Sequence, residues 1–554
     1  MQNICLNIQY SGSIIYANRQ NNGGLCLSIN FGEANMNKKR MLFLAIIMVF
    51  LIILIGSYYN NYNLLKQPPS EKWSKEVQIG SGAGKNSPII IKEENRVLVA
   101  YDDSKKIKIC ETDLMGKEIK TTEYDVEEEL LKNLIFTKNN SGYVLVYNSS
   151  KSGVAYSESI ILDKELNEIK RETEEGVLSI EQIDNENIVL SYKDKIYVIN
   201  TVSNEKIEVP VEDVTMLTAN KNKDGLLICY LEGDQLFKGF TVKAGKASEP
   251  FLIKKIIKPD KITYSAMSVS LDEETGYILI EQNIRNEYSS TEVIKFPIAG
   301  GEGQVSTLEV DNSKYIVNTK GTYSENGAKF YATMGVAFGK KEVQKAIVSF
   351  ELKDGQVSNV EKLTRLRELC IHPYSDEDYV AFLSFENEGA YNINITSSND
   401  EFRNANNGPR GDEKIRALGY VAEGFMFSVA YIIIIGFRWI IPVLVISGIV
   451  TFMDYKFDEK KKRYMYIILA AIAVIMKAYT INKTFYIQYS YMLPTILAPA
   501  FVGIIINLLI GLVVYGYGYM VYIDDFEGIF LGKFSIFMLI DALLTLMIYV
   551  PLII

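Results

Sequence analysis

One histidine, His372, is present in 554 residues. That scarcity leaves almost no room for His-based metal sites, Ser-His triads or imidazole relays. Cysteine is also sparse: Cys5, Cys26, Cys110, Cys229 and Cys370. They show neither metal-ligand spacing nor a disulfide framework. The last three each follow Ile or Leu in strand-like runs and read as small buried apolar residues. Cys26 lacks the apolar run that a lipidation signal needs upstream. Apolar types nevertheless make up 48% of the chain and charged types 23%. This balance excludes a disordered chain, a collagen-like repeat and a small disulfide scaffold.

The apolar residues are concentrated. Met41–Ile55 forms the first run, preceded by Lys38, Lys39 and Arg40. Four more lie near Tyr431–Met453, Tyr464–Ile481, Leu493–Ile523 and Phe534–Ile554. Each is long enough to cross a hydrocarbon core of roughly 30 Å as a helix. The first run has no A-x-A-like cleavage site and reads as an uncleaved anchor rather than a cleaved signal. Met36-Asn-Lys-Lys-Arg before an apolar run reads like an ordinary start. Residues 1–35 are then an upstream extension of the gene model, or else a disordered cytoplasmic tail.

Basic residues set orientation. Lys38, Lys39 and Arg40 place the N-terminus in the cytoplasm. Lys456, Lys460, Lys461, Lys462 and Arg463 mark a second inner loop. Residues 60–430 and the C-terminus are therefore expected outside a plasma membrane crossed five times. Trp439, Tyr515, Tyr517, Tyr519 and Tyr522 fit interfacial belts. Residues 60–420 carry 45 Lys and Arg against 58 Asp and Glu. Such an acidic domain argues against binding nucleic acid or acidic wall polymers through a broad basic face.

The polar centre repeats. A short β-rich run recurs seven times: Arg96–Tyr101, Gly142–Tyr147, Asn187–Tyr192, Gly225–Tyr230, Gly276–Glu281, Ala328–Thr333 and Tyr379–Phe385. The mean spacing is near 47 residues. Most runs are followed by a polar turn and a second strand, such as Lys106–Cys110 or Lys195–Ile199. That period suits four-stranded blades closing into a ring, with seven blades favoured over six or eight. Separate immunoglobulin-like domains would show periods near 100 residues. A short helix near Glu127–Leu134 is the one expected interruption.

Ser87-Pro88, the strand through Arg96–Tyr101, the turn Asp102-Asp103-Ser104, the strand Lys106–Cys110 and Asp113-Leu-Met-Gly116-Lys117 together resemble a blade of the PQQ-like propellers. Asn187–Ile207 is a weaker copy. The resemblance implies a propeller fold. Quinone enzymes of that superfamily also need a calcium site and a catalytic Asp, and neither maps onto this sequence. Other members carry no cofactor and act as extracytoplasmic scaffolds. No cofactor, catalytic or metal residue is assigned.

Other motifs dissolve on inspection. Gly80-Ser-Gly-Ala-Gly84-Lys85 imitates a phosphate loop, but Ile79 and Asn86 occupy required Gly and Ser/Thr positions. Asn220–Gly225 imitates a calcium loop, but Leu231 stands where a bidentate Glu belongs. It reads as a hairpin. Asp102-Asp103 and Asp272-Glu273-Glu274 read as solvated turns, and His372 before Pro373 as structural.

The expected organisation is a polar lead (1–35), an anchor (36–59), a stalk with Pro68-Pro69 (60–79), a propeller (80–400), a linker with an amphipathic lead (401–430) and four transmembrane helices (431–554). Within the membrane half, Arg438, Lys477, Asn507 and Asp541 form a candidate intramembrane polar cluster. Asp541 is expected to pair with Arg438 or Lys477 as packing, or to line a polar pathway. Pro494, Pro499, Gly503, Gly511, Gly516 and Gly518 are expected to kink the fourth span or let it pack closely. The leading functional expectation is a non-enzymatic, membrane-anchored binding or scaffold protein of the cell envelope. Its partners would be the bilayer and a protein or envelope component. The alternative is a propeller-regulated transport or channel component.

Overall fold

The computed structural model describes residues 8–10, 13–19, 25–28 and 38–552, except 127–131, 152–153, 224, 258, 325–326, 339–340, 366–368, 388, 454–455, 489–492, 494–496 and 524–529. The chain divides into two units, Leu65–Arg410 and the remainder.

Seven antiparallel sheets make up the Leu65–Arg410 unit. Blade 1 runs through Ile89–Lys92, Val97–Asp103, Lys106–Thr112 and Glu118–Asp125. Blades 2 to 7 start at Lys132, Ser179, Val214, Ile262, Ile316 and Cys370. First strands of successive blades neighbour one another, and that of blade 7 returns to blade 1. All seven β-runs of the sequence repeat are the second strands of blades.

Burial explains why these sheets form a ring. Val97, Leu98, Val99 and Ala100 are consecutive and wholly buried, as are Tyr277, Ile278, Leu279 and Ile280. Consecutive strand residues point to opposite faces, so both faces of each blade must be covered. A neighbouring blade on either side does this. Fourth strands are the reverse: Glu168–Glu175 and Gln304–Thr307 are largely exposed and polar.

The last blade is completed by a strand that precedes blade 1 in the chain. Cys370–Asp376, Tyr379–Asn387 and Ala390–Ser397 take Val77–Gly82 as their fourth strand, with Ile393 opposite Gly80. The glycine-rich stretch is thus a closing strand, and its glycines have packing reasons. A Cβ on Gly82 would lie 2.4 Å from the Asp102 carbonyl oxygen.

The segments expected as stalk and linker are packed against the ring. Trp73, Ser74 and Lys75 are buried. The Trp73 indole donates to Glu361 at 3.1 Å, and Ser74 donates its backbone N–H to the Ser397 carbonyl. Beyond the last strand, Asn399 caps a short helix, Asp400–Asn406, that buries Phe402. Arg403 donates to the Glu71 carbonyl and Arg410 to that of Glu76, so incoming and outgoing chains are tied together. Free backbone in both segments would need solvent. Here side-chain donors satisfy it instead.

Three further expectations change. Lys132–Lys138 is a strand, not part of a helix, while 127–131 lie outside the described residues. Its Ile135 and Phe136 are buried between blades, which outweighs the acidic run before them. Asp102 is buried rather than solvated, because the closing segment covers it and donates the Lys85 and Asn86 N–H groups at 3.3 and 3.2 Å. Residues 8–10, 13–19 and 25–28 form a small three-stranded sheet in the region read as a polar lead.

Among the described residues, the other unit contains five helices long and apolar enough to cross a membrane. They are α1 (Arg40–Leu65), α2 (Gly411–Met453), α3 (Glu459–Gln488), α4 (Ala500–Ile523) and α5 (Phe530–Leu552). The amphipathic lead and second span are one helix, with a π-type turn at Ile432–Gly436 and Pro442 inside it. Pro499 precedes α4 instead of kinking it; a helix tolerates Pro best at its start. Pro494 lies outside the described residues. Trp439, Tyr515 and Tyr522 are buried in the helical core rather than forming a belt. Tyr522 stacks on Tyr466 and Tyr515 on Phe534, so aromatic packing takes these rings inward.

Candidate functional sites

Three of the four polar residues singled out in the helical unit meet. Val474 and Lys477 are three apart on α3, and Asn507, Gly511 and Tyr515 recur at intervals of four on α4. Residues at such spacings share a helix face. Gly511 permits the two helices to approach, since a Cβ there would sit 2.6 Å from Val474 Cγ2. Lys477 can then reach between α4 and α5.

The Lys477 ammonium has three donors and finds three acceptors. Asp541 Oδ1 lies at 2.6 Å, the Asn507 carbonyl at 3.2 Å and Thr545 Oγ1 at 3.3 Å. Both charged side chains are wholly buried. Tyr515 donates to the other Asp541 oxygen at 3.5 Å. Removing two charges from water is costly, and only close pairing with full hydrogen bonding offsets it. Arg438 takes no part, because its side chain faces out of the unit. Asn507 contributes its backbone carbonyl, while its buried side-chain oxygen has no hydrogen-bond partner. Thr545 escaped the sequence reading, and Tyr515 was read there as part of an interfacial belt rather than as a partner of Asp541. Their intervals, four after Asp541 and eight after Asn507, were the available signal.

The sequence reading also missed a cup at one mouth of the propeller ring. Its volume is about 620 Å³. It lies where first strands turn into second strands, and segments of six blades line it. Five lysines face it: Lys92 of blade 1, Lys138 of blade 2, Lys221 of blade 4, and Lys320 and Lys329 of blade 6. The first four stand at or near the ends of the innermost strands. That recurrence was the missed signal.

Side chains bridge the ring at this mouth. Lys320 pairs with Glu181 of blade 3 and stands 5.4 Å from the centre of the Tyr374 ring of blade 7. Asn185 of blade 3 donates to Asp376 of blade 7 at 2.8 Å, and the Lys92 N–H donates to the same oxygen at 2.8 Å. Burial pushes the Asp376 carboxyl above its ordinary range. Lys92 pairs with Glu377 at 2.5 Å and Lys221 with Asp184 at 3.0 Å. Lys329 has no carboxylate partner among the described residues and stands 5.1 Å from the centre of the Tyr331 ring.

His372 occupies a bulge in the first strand of blade 7 with φ of 54°. Burial pushes its imidazole down to about 4, so it is neutral at physiological pH. Among the described residues, no group of three His, Cys, Asp or Glu is placed to hold a metal.

No family profile matches the chain, and no curated protein matches it. Solved structures do resemble it. BBS1N in complex with ARL6DN covers 59% of this chain and 98% of its own, at 10% identity and a TM-score of 0.37. U3-55K covers 58% and 98%, at 9% identity and 0.37. A prolyl endopeptidase covers 71% and 56%, at 9% identity and 0.32. These likenesses carry no functional weight; the propeller rests on the sheet topology itself. The PQQ-like resemblance goes no further than blade pattern.

Proposed function

We propose that this chain is a membrane-anchored extracytoplasmic propeller acting as a non-enzymatic binding or scaffold protein of the cell envelope. The observation that carries this reading is the axial cup, a concave, polar site assembled from six blades of a closed ring. Pockets of a few hundred Å³ up to about 1,000 Å³ are typical of ligand sites. Basic residues at 38–40 and 460–463 support an orientation with the propeller outside. The bilayer surrounds the five helices, and the cup receives an envelope component. The transport reading is weaker, since every donor of the Lys477 ammonium is already taken by protein.

The test is crosslinking in intact cells followed by purification of the full chain. A protein with Lys221→Glu and Lys329→Glu should lose an envelope component that the native chain retains. Equal recovery by both, with loss only on changing helical residues, would move the function to the membrane unit.

A further inference from the structure

We propose that a groove between α1 and α5 holds one chain of an outer-leaflet lipid whose head is uncharged and hydroxylated, such as a glycosyl diacylglycerol. This inference is independent of the cup and rests on reading the helices as membrane-spanning with the propeller outside.

The groove follows from how the two helices run. The ring centres of Phe43 on α1 and Tyr517 on α4 are 5.7 Å apart, as are those of Tyr517 and Phe537 on α5. Further along both helices, Ile52 and Ile53 of α1 share one space with Met547 and Ile548 of α5. The helices therefore point the same way and flank a groove of about 300 Å³. Gly56 keeps it open, since a Cβ there would meet nothing within 4 Å. A transmembrane helix, roughly 10 Å across, is too wide for such a space. A single lipid chain is not, and packing along both walls would hold it where a smooth helix face would not.

The lining changes character along the groove. Its deep part is made of the four aliphatic side chains just named. Ser57, Asn60 and Asn61 lie at the end where α5 finishes, about 14 Å of helix beyond Ile52. Apolar walls below and amides at the interface match a lipid tail and its head. No lining residue carries a charge, so nothing there offsets the cost of drawing a phosphate or ammonium out of water. Amides can both donate to and accept from hydroxyls. Asn61 spends one N–H on the Ser57 carbonyl at 3.0 Å, which leaves its oxygen as an acceptor. Asn60 is exposed and adds a second amide. The groove thus selects an uncharged, hydroxyl-bearing head over an anionic one.

Native mass spectrometry of the full chain released from nanodiscs tests this. The discs hold phosphatidylcholine with equal minor fractions of diglucosyl diacylglycerol and phosphatidylglycerol. One diglucosyl diacylglycerol should stay with each chain, in excess over phosphatidylglycerol. Gly56→Leu should abolish that retention. It fills the groove from a position with open space and removes a glycine from a helix, so the fold persists. Gly448→Leu on α2 also meets open space and should change nothing. Asn60→Leu should leave a lipid bound but erase the preference for the glycolipid. Absence of a retained glycolipid overturns the proposal, as does retention of phosphatidylglycerol to an equal or greater extent. Unchanged retention in Gly56→Leu, or equal loss in Gly448→Leu, overturns it too. If glycolipid retention fails while the propeller still labels from outside, the membrane reading stands and this inference alone falls.

Discussion

Lys477 Nζ lies 2.6 Å from Asp541 Oδ1, and both side chains are wholly buried among the helices. Removing one partner leaves a buried charge without its counterion, which costs about 3–5 kcal/mol in comparable sites. Asp541→Asn alone should therefore reduce the folded yield and the thermal midpoint. Adding Lys477→Gln should recover part of the loss, because no unpaired charge remains. Size-exclusion profiles and thermal unfolding in detergent check this. A neutral Asp541→Asn would mean that the pair does not pin the helices.

Glu281 of blade 5 offers a second test. It is 5% exposed and accepts the Thr319 N–H at 3.2 Å. Burial raises its carboxyl to about 7. The unfolded chain ionises this group near 4.3, so between there and about 7 the unfolded state loses its proton first. Stability from this group is full below the lower value and is lost as pH rises through the upper one. Glu281→Gln should raise the stability of the propeller at pH ~8 by up to about 3 kcal/mol and change little at pH ~4. Unfolding midpoints across that range decide it; parallel pH profiles for the two proteins would refute the burial argument.

Ring closure depends on Gly82. With a Cβ 2.4 Å from the Asp102 carbonyl oxygen, Gly82→Val must push the closing strand away. The expected loss is about 1–3 kcal/mol. Gly408→Ala meets open space and should be neutral. Hydrogen exchange at Tyr391–Ile395, the partners of the closing strand, should accelerate only in the first protein.

Much of this architecture is legible in the sequence because each β-run with two buried faces is a continuous apolar stretch. Val97–Ala100 and Val380–Leu383 declare themselves that way. The repeat finds second strands, since these are the most buried of each blade. First strands such as Ser179–Gln182 are short and partly polar, so the cup they form stays hidden. Stalk and linker were misread because Trp73 and Phe402 are single apolar residues in polar surroundings. Their burial is a tertiary property that no local period encodes. Asp541 and Lys477 could be named as costly, but only helix packing selects Lys477 over Arg438. Arg438 sits beside buried Trp439, one residue off the inward face.

Orientation is checked by labelling with a membrane-impermeant maleimide. Cys110, Cys229 and Cys370 are buried and in no disulfide, so they form a quiet background once Cys5 and Cys26 are changed to Ser. Ser203→Cys, on an exposed turn of blade 3, should label in intact cells. Lys461→Cys, at the start of α3, should label only after permeabilisation. The reverse pattern would place the propeller in the cytoplasm.

The most direct test of binding through the cup is site-specific photo-crosslinking in living cells. A photoreactive residue replaces Tyr323 in the cup or Glu172 on the exposed outer strand of blade 2. The account requires a discrete crosslinked envelope component at position 323, diminished by Lys221→Gln with Lys329→Gln, and none at 172. Crosslinks at 172 with none at 323 would show that the propeller works through its outer edge, contradicting the central claim.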